Sequence, residues 1–374
     1  MIWRKIILKV LHLVSRLSIN SGLMSVIMNY YRRIDRKEVQ FGFLYFTEDR
    51  SEDYKSEIKE LGGKIYFFNI NKWRLKESFR TAFSDLKEKY DVFHVHELYL
   101  LFAAEKTARQ SGVKAIIGHA HTIKYSEKFF SGIRNRITCL GINRRCDYEV
   151  ACSRDAGKLF FGNDIHTGKF NIINNAIKLG EYHFDSEKRL RIRNNLGLTE
   201  KNFVVGHVGR FTHPKNHPFI IELFKEIWKN KEYSRLLLIG EGPCEDRIKE
   251  LVRKNKLEDM VIFLGSRKDV NDLYSAMDVF LFPSLYEGLG SAVVEAQANG
   301  LPCFVSNTVP LQAKVLGSYK IFDLKDGPEK WAEKILNADL TRNNDSYDLM
   351  TGAGFNIDIE CKKLKDLYQM MIGA

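Results

Sequence analysis

The sequence predicts an α/β protein of two doubly wound domains, each a parallel sheet with crossover helices. Three observations carry this expectation. The chain has 374 residues, too many for one ordinary core and enough for two domains of about 150 to 200 residues each. Apolar runs rich in β-branched and aromatic residues alternate with helical stretches in both halves, the pattern of parallel strands joined by helices. Between the two series lies the polar, charge-rich stretch 178–202, which puts a boundary near residue 180. The expected division is 1–180, 181–355, and a C-terminal segment 356–374.

In the first half the expected strands are 7–14, 41–45, 64–68, 92–95, 115–118, 149–152 and 170–173. After Gly22 a helix is expected, because Leu23, Val26, Ile27 and Tyr30 recur at helical spacing. The second half begins a new series at 204–208, 235–239, 261–264, 279–282 and 302–305. The last stretch, 356–371, reads as a helix with Ile359, Leu364, Leu367, Tyr368 and Met371 as its apolar side. No repeat at solenoid period and no low-complexity tract interrupts this order.

Hydrophobic residues make up 44% and charged residues 28%, the balance of a soluble globular protein. No apolar run approaches the ~18 to 20 residues that span a membrane. The segment 2–14 is too interrupted by charge for a signal peptide and lacks a small-residue cleavage site; it reads as the first buried strand preceded by a short basic extension. Six cysteines without a C-x-x-C pair or regular spacing indicate neither a zinc site nor a disulfide framework, and fit a reduced cytosolic compartment. The net charge of +11 favours anionic partners. Zinc-finger and RNA-recognition signatures are missing, which argues against nucleic acid. The basic clusters sit in the N-terminal half: Arg4, Lys5 and Lys9; Arg32, Arg33, Arg36 and Lys37; Arg134, Arg136, Arg144 and Arg145. They are interleaved with Trp3, Tyr30, Tyr31, Phe129 and Phe130, a composition suited to an anionic membrane face or a lipid-linked diphosphate.

The most informative stretch is Glu287-Gly-Leu-Gly-Ser-Ala-Val-Val-Glu295. A buried strand over 279–282 ends at Pro283, the chain turns through Gly288 and Gly290, and a helix starts near Ser291. Glycines admit close approach of backbone to ligand, and the first-turn N–H groups with the helix dipole make an anion site. Glu287 stands before the turn and Glu295 about one turn inside the helix. An anion at the amides therefore lies between two hydrogen-bond acceptors, and acceptors beside a phosphate suit the hydroxyls of a nucleotide sugar. The plainer alternative is a strand-turn-helix unit with two solvated glutamates.

This segment resembles the E-x7-E motif of retaining glycosyltransferases of family 4, and residues 295–306 are similar to the exopolysaccharide and capsule branch of that family. The resemblance extends to Val208-Gly-Arg210-Phe-Thr-His-Pro-Lys215-Asn216, to Leu238-Ile-Gly240-Glu-Gly242-Pro, to Asp91-Val-Phe-His94-Val-His96, to Gly118-His-Ala-His121-Thr, and to 28–36 and 39–41, so it runs nearly end to end. It implies the GT-B fold: two Rossmann-like domains facing a central cleft, the first binding acceptor and the second binding nucleotide sugar, with the C-terminal helix crossing back to the first. It also implies roles. Glu295 accepts from the ribose hydroxyls and Glu287 from the donor sugar. The amides of Gly288, Leu289, Gly290 and Ser291 touch sugar and diphosphate. Gly240, Gly242 and Arg267 stand near the nucleobase, and His121 contacts the donor sugar near the reaction centre. Gly22 belongs to a first loop that approaches the donor phosphate or acceptor. That loop departs from the pattern, keeping one glycine in Ser18-Ile-Asn-Ser21-Gly22-Leu-Met-Ser25.

Transfer from a nucleotide sugar requires stabilising charge on the leaving diphosphate, with a metal or with fixed donors. The chain has no Asp-x-Asp, so Arg210 and Lys215, just past the first strand of the second half, are expected to do this as a guanidinium fork and a compact ammonium. His94 with His96, and His119 with His121, form two H-x-H pairs that could each reach one ion. Neither comes with an Asp/Glu ligand run, so no metal ligand is assigned. The expectation is therefore a retaining, metal-independent glycosyltransferase without cofactor. It would move a sugar from a nucleotide-diphosphate sugar, a UDP-sugar, to a lipid-linked oligosaccharide in surface polysaccharide synthesis. It would act in the cytoplasm, peripheral to the inner face of the cell membrane. The rivals are a catalytically silent sugar-nucleotide-binding subunit partnering another transferase, and an enzyme of the same fold that hydrolyses or epimerises nucleotide sugars.

Overall fold

In the computed structural model, which describes residues 7–19, 21–48, 52–126, 129–162 and 168–373, the chain folds as two compact units, Met1–Ile177 with Ile357–Ala374, and Lys178–Asn356. Trp3, Arg4 and Lys5 lie outside the described residues.

In the first unit, β1 (Leu8–Val14), β2 (Val39–Tyr45), β3 (Lys64–Phe67), β4 (Val92–Val95), β5 (Ala115–Ala120), β6 (Tyr148–Ala151) and β7 (Phe170–Ile172) form one sheet in the order β3-β2-β1-β4-β5-β6-β7. Every pairing is parallel. Parallel strands need crossovers that cover both faces of the sheet, so central strands are apolar on both sides; Val10, Leu11, Leu13 and Val14 of β1 are all buried. β5 runs two residues past its expected end and keeps His119 inside the sheet. The helix Ile357–Met371 belongs to this unit and buries Ile357, Cys361, Leu364, Tyr368 and Met371. Ile359, expected on that face, is exposed. The apolar side begins at Ile357, and Cys361 follows one turn later, where its thiol meets the Tyr30 carbonyl at 3.4 Å.

In the second unit, β8 (Phe203–Val208), β9 (Ser234–Ile239), β10 (Val261–Gly265), β11 (Val279–Phe282), β12 (Cys303–Ser306) and β13 (Tyr319–Phe322) pair in the order β10-β9-β8-β11-β12-β13, again all parallel. β13 was not expected: it is a four-residue edge strand whose Lys320 is exposed, too short and polar to stand out. The strand order reverses between β8 and β11. Open α/β sheets bind ligands outside the carboxyl ends at such a point.

The charged stretch 178–202 is more than a connector. Its helix Ser186–Asn195 sends Arg193, 1% exposed, to Asp278 at 2.8 Å, and Arg189 reaches the same carboxylate at 2.8 Å. Asp278 also accepts from the Val204 amide at 2.7 Å. A buried charge pair with its hydrogen bonds satisfied thus ties β8 to β11 at their amino ends, fixing the two strands whose far ends carry the loops of the E-x7-E segment and the Arg210–Lys215 run.

Candidate active site

The loops leaving β8, β9 and β11 interlock through their backbones. The amides of Gly209 and Phe211 donate to the carbonyls of Ile239 and Glu241 at 2.9 and 3.0 Å, and the Cys244 amide donates to the Phe211 carbonyl at 3.0 Å. Gly240 has φ +134°, and a Cβ there would stand 2.3 Å from the Gly209 carbonyl oxygen. A Cβ on Gly242 would stand 2.5 Å from the Phe211 carbonyl oxygen. Both glycines are thus required by loop packing, a reason separate from any contact with a base.

The β8 loop is tied in turn to the β11 loop. Asn216, in the left-handed region at φ 54°, donates its side-chain amide to the Pro283 carbonyl at 3.1 Å, and the Leu285 amide donates to the Pro214 carbonyl at 2.7 Å. These bonds bring Lys215 to Glu287, with Nζ 2.6 Å from Oε1 and the two side chains 20% and 13% exposed. The ammonium also lies 4.8 Å from the centre of the Phe282 ring, a cation–π contact. Arg210 is exposed, and its guanidinium makes no ion pair among the described residues. One fixed cation is therefore held by a carboxylate while the other is free to engage a ligand.

Gly288 and Ser291 are partly buried, while Leu289 and Gly290 are buried. The helix Ser291–Ala298 starts after Gly290, at φ 90°, with no side-chain cap, so the orphan N–H groups of its first turn are left for a ligand. Glu295 projects from this helix and accepts from the Tyr274 hydroxyl at 2.9 Å. Burial raises its carboxyl to about 7, against smaller opposing pulls from Tyr274 and Lys215. A half-ionised carboxyl at neutral pH, one turn from this uncapped helix start, can accept from hydroxyls. Tyr274 was not found from the sequence, since nothing in its neighbourhood marks a residue 21 positions from its partner. Arg267, assigned to the nucleobase, is exposed and paired with Asp269 at 2.7 Å. The contact that joins its loop to the β9 loop is made instead by Glu241, which accepts from the Ser266 amide at 3.1 Å.

In the first unit, Gly22 opens the helix Gly22–Arg33, capped by Ser21, whose hydroxyl accepts from the Met24 amide at 3.4 Å. A side chain at Gly22 would meet nothing within 4 Å, so the start of this helix is open. His121 lies just past β5 within a cluster that includes His12, His94, His96 and His119; the rings of His119 and His121 are 3.8 Å apart and those of His94 and His96 4.3 Å apart. Neither His12 nor Tyr368, which reaches His94 at 2.7 Å, was connected with the H-x-H pairs from the sequence. Two triplets, His12/His94/His96 and His96/His119/His121, have ring nitrogens within 4.8 Å of one another.

The basic clusters separate here. Arg32 is held by Glu57 at 2.6 Å and Arg33 lies 3.7 Å from Asp358. The helix Phe129–Thr138 instead exposes Phe129 (76%), Phe130 (84%), Ile133 and Ile137, with Leu140 just beyond. At 100° per residue these fall on one side, and Arg134 and Arg136 flank them.

A profile of the family described as "Glycosyl transferases group 1" matches residues 188–346. A protein that carries the name glycosyltransferase EpsF, from Bacillus subtilis (strain 168), is 30% identical over 344 residues, 88% of this chain and 87% of its own. The chain belongs to the group 1 glycosyltransferases. The UDP-Gal:alpha-D-GlcNAc-diphosphoundecaprenol alpha-1,3-galactosyltransferase of Escherichia coli is 28% identical over 303 residues, 76% of this chain and 77% of its own. The solved structure of Anabaena Alr3699/HepE in complex with UDP superposes with a TM-score of 0.77 at 19% identity, covering 97% of this chain and all of that one. The group 1 glycosyltransferase described here therefore has two Rossmann-like units of the GT-B class, the fold implied by the sequence resemblance.

Proposed function

We propose that this glycosyltransferase moves a sugar from a UDP-sugar, with retention and without a metal, to a lipid-linked saccharide in surface polysaccharide synthesis. The observation that carries the reading is the juxtaposition, at the β8/β11 switch point, of Lys215 and Glu287 beside the uncapped helix start at Ser291. Fixed positive charge and backbone donors aimed at one place suit a leaving diphosphate. In the reaction the bond from the anomeric carbon to the diphosphate breaks, the acceptor hydroxyl attacks on the same face, and its proton passes to the departing phosphate oxygen. Arg210, Lys215 and the helix amides hold the developing charge, Glu287 orients the sugar, Glu295 holds the ribose, and His121 contacts the donor sugar. The Escherichia coli relative's UDP-Gal donor and diphosphoundecaprenol acceptor, and the UDP in the HepE structure, support the choice of nucleotide and acceptor class.

Among the described residues no helix is long and apolar enough to cross a membrane. A lipid-linked acceptor then requires docking on the inner leaflet. The apolar stripe of the helix Phe129–Thr138 with its flanking arginines supports a membrane footing there, because apolar insertion and attraction to anionic lipid act together. Incubation with a panel of sugar nucleotides and undecaprenyl-diphosphate-linked saccharides, with and without chelator, tests the proposal. Transfer from a UDP-sugar with an unchanged anomeric configuration and no chelator effect is expected; a strict requirement for a divalent ion would overturn the fixed-cation mechanism.

A further inference from the structure

Four buried histidine rings and the partly exposed His121 share one layer of the first unit, and their hydrogen bonds run in two strings. His12 Nδ1 is 2.9 Å from His96 Nε2, and His96 Nδ1 is 2.8 Å from His121 Nε2. In the second string the Tyr368 hydroxyl is 2.7 Å from His94 Nδ1, and His94 Nε2 is 3.0 Å from His119 Nδ1. Burial keeps the rings neutral. It pulls His12 and His121 down to about 3, and with repulsion from neighbouring rings it holds His94, His96 and His119 well below the ordinary histidine range. Each ring therefore has one N–H and one lone pair.

With one proton per ring, only two arrangements make both bonds of the first string. In one, His121 Nε2–H donates to His96 and His96 Nε2–H donates to His12, which forces the His12 proton onto Nε2. That atom is buried without a partner, in a ring packed against Phe41 and Phe43, so a donor would be stranded. In the other, His12 Nδ1–H donates to His96, His96 Nδ1–H donates to His121 Nε2, and the unpartnered atom of His12 is a lone pair. Buried orphan donors are the rarer and costlier case. The second arrangement puts the His121 proton on Nδ1. His121 is the partly exposed member of the string, and Nδ1 is not among the buried unpartnered atoms.

We propose that His12 and His96 are positioning residues that hold His121 in its Nδ1–H tautomer, so that this position presents a hydrogen-bond donor to an oxygen of the donor sugar. The string sets the direction from inside the sheet: β1 supplies the first donor, the end of β4 relays it, and His121 delivers it. The tautomer itself follows from the first unit alone, whereas its use on a sugar rests on the reading of His121 given under Proposed function.

Long-range ¹⁵N–¹H NMR of the full chain labelled at histidine nitrogen tests the tautomer. His121 should show a protonated Nδ1 and a bare Nε2. His12→Leu removes the first donor and should let the Nε2–H form of His121 appear, while His12→Asn, whose side-chain N–H replaces the Nδ1 donor, should restore the original form. If the competent tautomer falls to between a half and a tenth, kcat/KM for transfer drops about two- to ten-fold and recovers in His12→Asn, with UDP affinity unchanged in both. A proton on His121 Nε2 in the unsubstituted protein, or an unaltered tautomer in a His12→Leu protein that melts cooperatively, would overturn the proposal. Stoichiometric zinc in the purified protein would also overturn it, because a metal held by His96, His119 and His121 takes the lone pairs the string needs. A shifted tautomer with unchanged kcat/KM would leave the string standing and remove His121 from the sugar contact.

Discussion

Replacing Glu295 by Gln tests the ribose contact while keeping the shape of the site. Burial places this carboxyl at about 7, so roughly a tenth of it is ionised at pH 6 and roughly nine tenths at pH 8. A carboxylate accepts from two hydroxyls at once, whereas the acid form spends one oxygen as a donor. UDP affinity should therefore tighten about ten-fold between pH 6 and pH 8, beyond the change due to the nucleotide's own phosphate. Glu295→Gln should show only the phosphate's part. Calorimetric titrations of both proteins at pH 6, 7 and 8 separate the two, and parallel slopes would refute the ribose role. Stability gives an independent reading with a definite sign. The folded protein keeps a proton here that the unfolded chain releases, so the contribution is full below the ordinary value of 4.5 and is lost as pH rises toward 7. The loss amounts to about 3 kcal/mol, and Glu295→Gln should flatten that part of the Tm profile between pH 5 and 8.

Glu287→Ala frees Lys215 from its 2.6 Å partner, so UDP binding should hold or tighten while kcat falls; equal losses of affinity and turnover would mean that Glu287 and Glu295 exchange roles. Arg210→Ala and Lys215→Ala should each cost about 2 to 4 kcal/mol of transition-state stabilisation, the scale of losing one preorganised donor, read as kcat/KM in single-turnover assays. Gly240→Ala drives a Cβ against the Gly209 carbonyl at a φ unsuited to alanine, and should lower Tm and UDP affinity together, since the loop that carries Arg210 must move; an unchanged Tm would show that the loops are not interlocked. Phe129→Ser with Phe130→Ser, or Arg134→Ser with Arg136→Ser, should abolish salt-sensitive co-sedimentation with anionic vesicles, whereas Arg32→Ser and Arg33→Ser, whose side chains already face acids, should leave it intact.

Apolar runs made both sheets legible, because a parallel strand covered on both faces needs a near-continuous apolar run, as 279–282 and 236–239 show. The edge strand β13 escaped because its one exposed lysine and four-residue length give no such run. The loops that carry Glu287 and Lys215 were legible from their position after a strand, although the direct contact of the two side chains depends on β8 and β11 being neighbours, which sequence order hides. For the same reason Tyr274, Arg193 and the histidine strings had no local signal: each partner arrives from another strand or helix. Arg267 was placed near the nucleobase by resemblance alone, and its 2.7 Å pairing with Asp269 two residues on is a local contact that the resemblance did not include.

The ribosome meets the discontinuity of the first unit as a delay. Its sheet and the helix Gly22–Arg33 are complete in the chain by residue 177, but the helix Ile357–Met371 that covers part of that core follows only after residues 178–356, a span of 179 residues. At about 5 to 20 residues per second, that is a wait of roughly 10 to 35 seconds. During it the partners of Cys361 and Tyr368, the Tyr30 backbone and His94, have nothing from the C-terminal helix to meet. The second unit can close on itself in that interval, so it should be born first and the unit that carries His121 last. Premature termination between residues 177 and 357 would release an unfinished first unit with an apolar face uncovered, a species fit for chaperones and proteases rather than for sugar transfer.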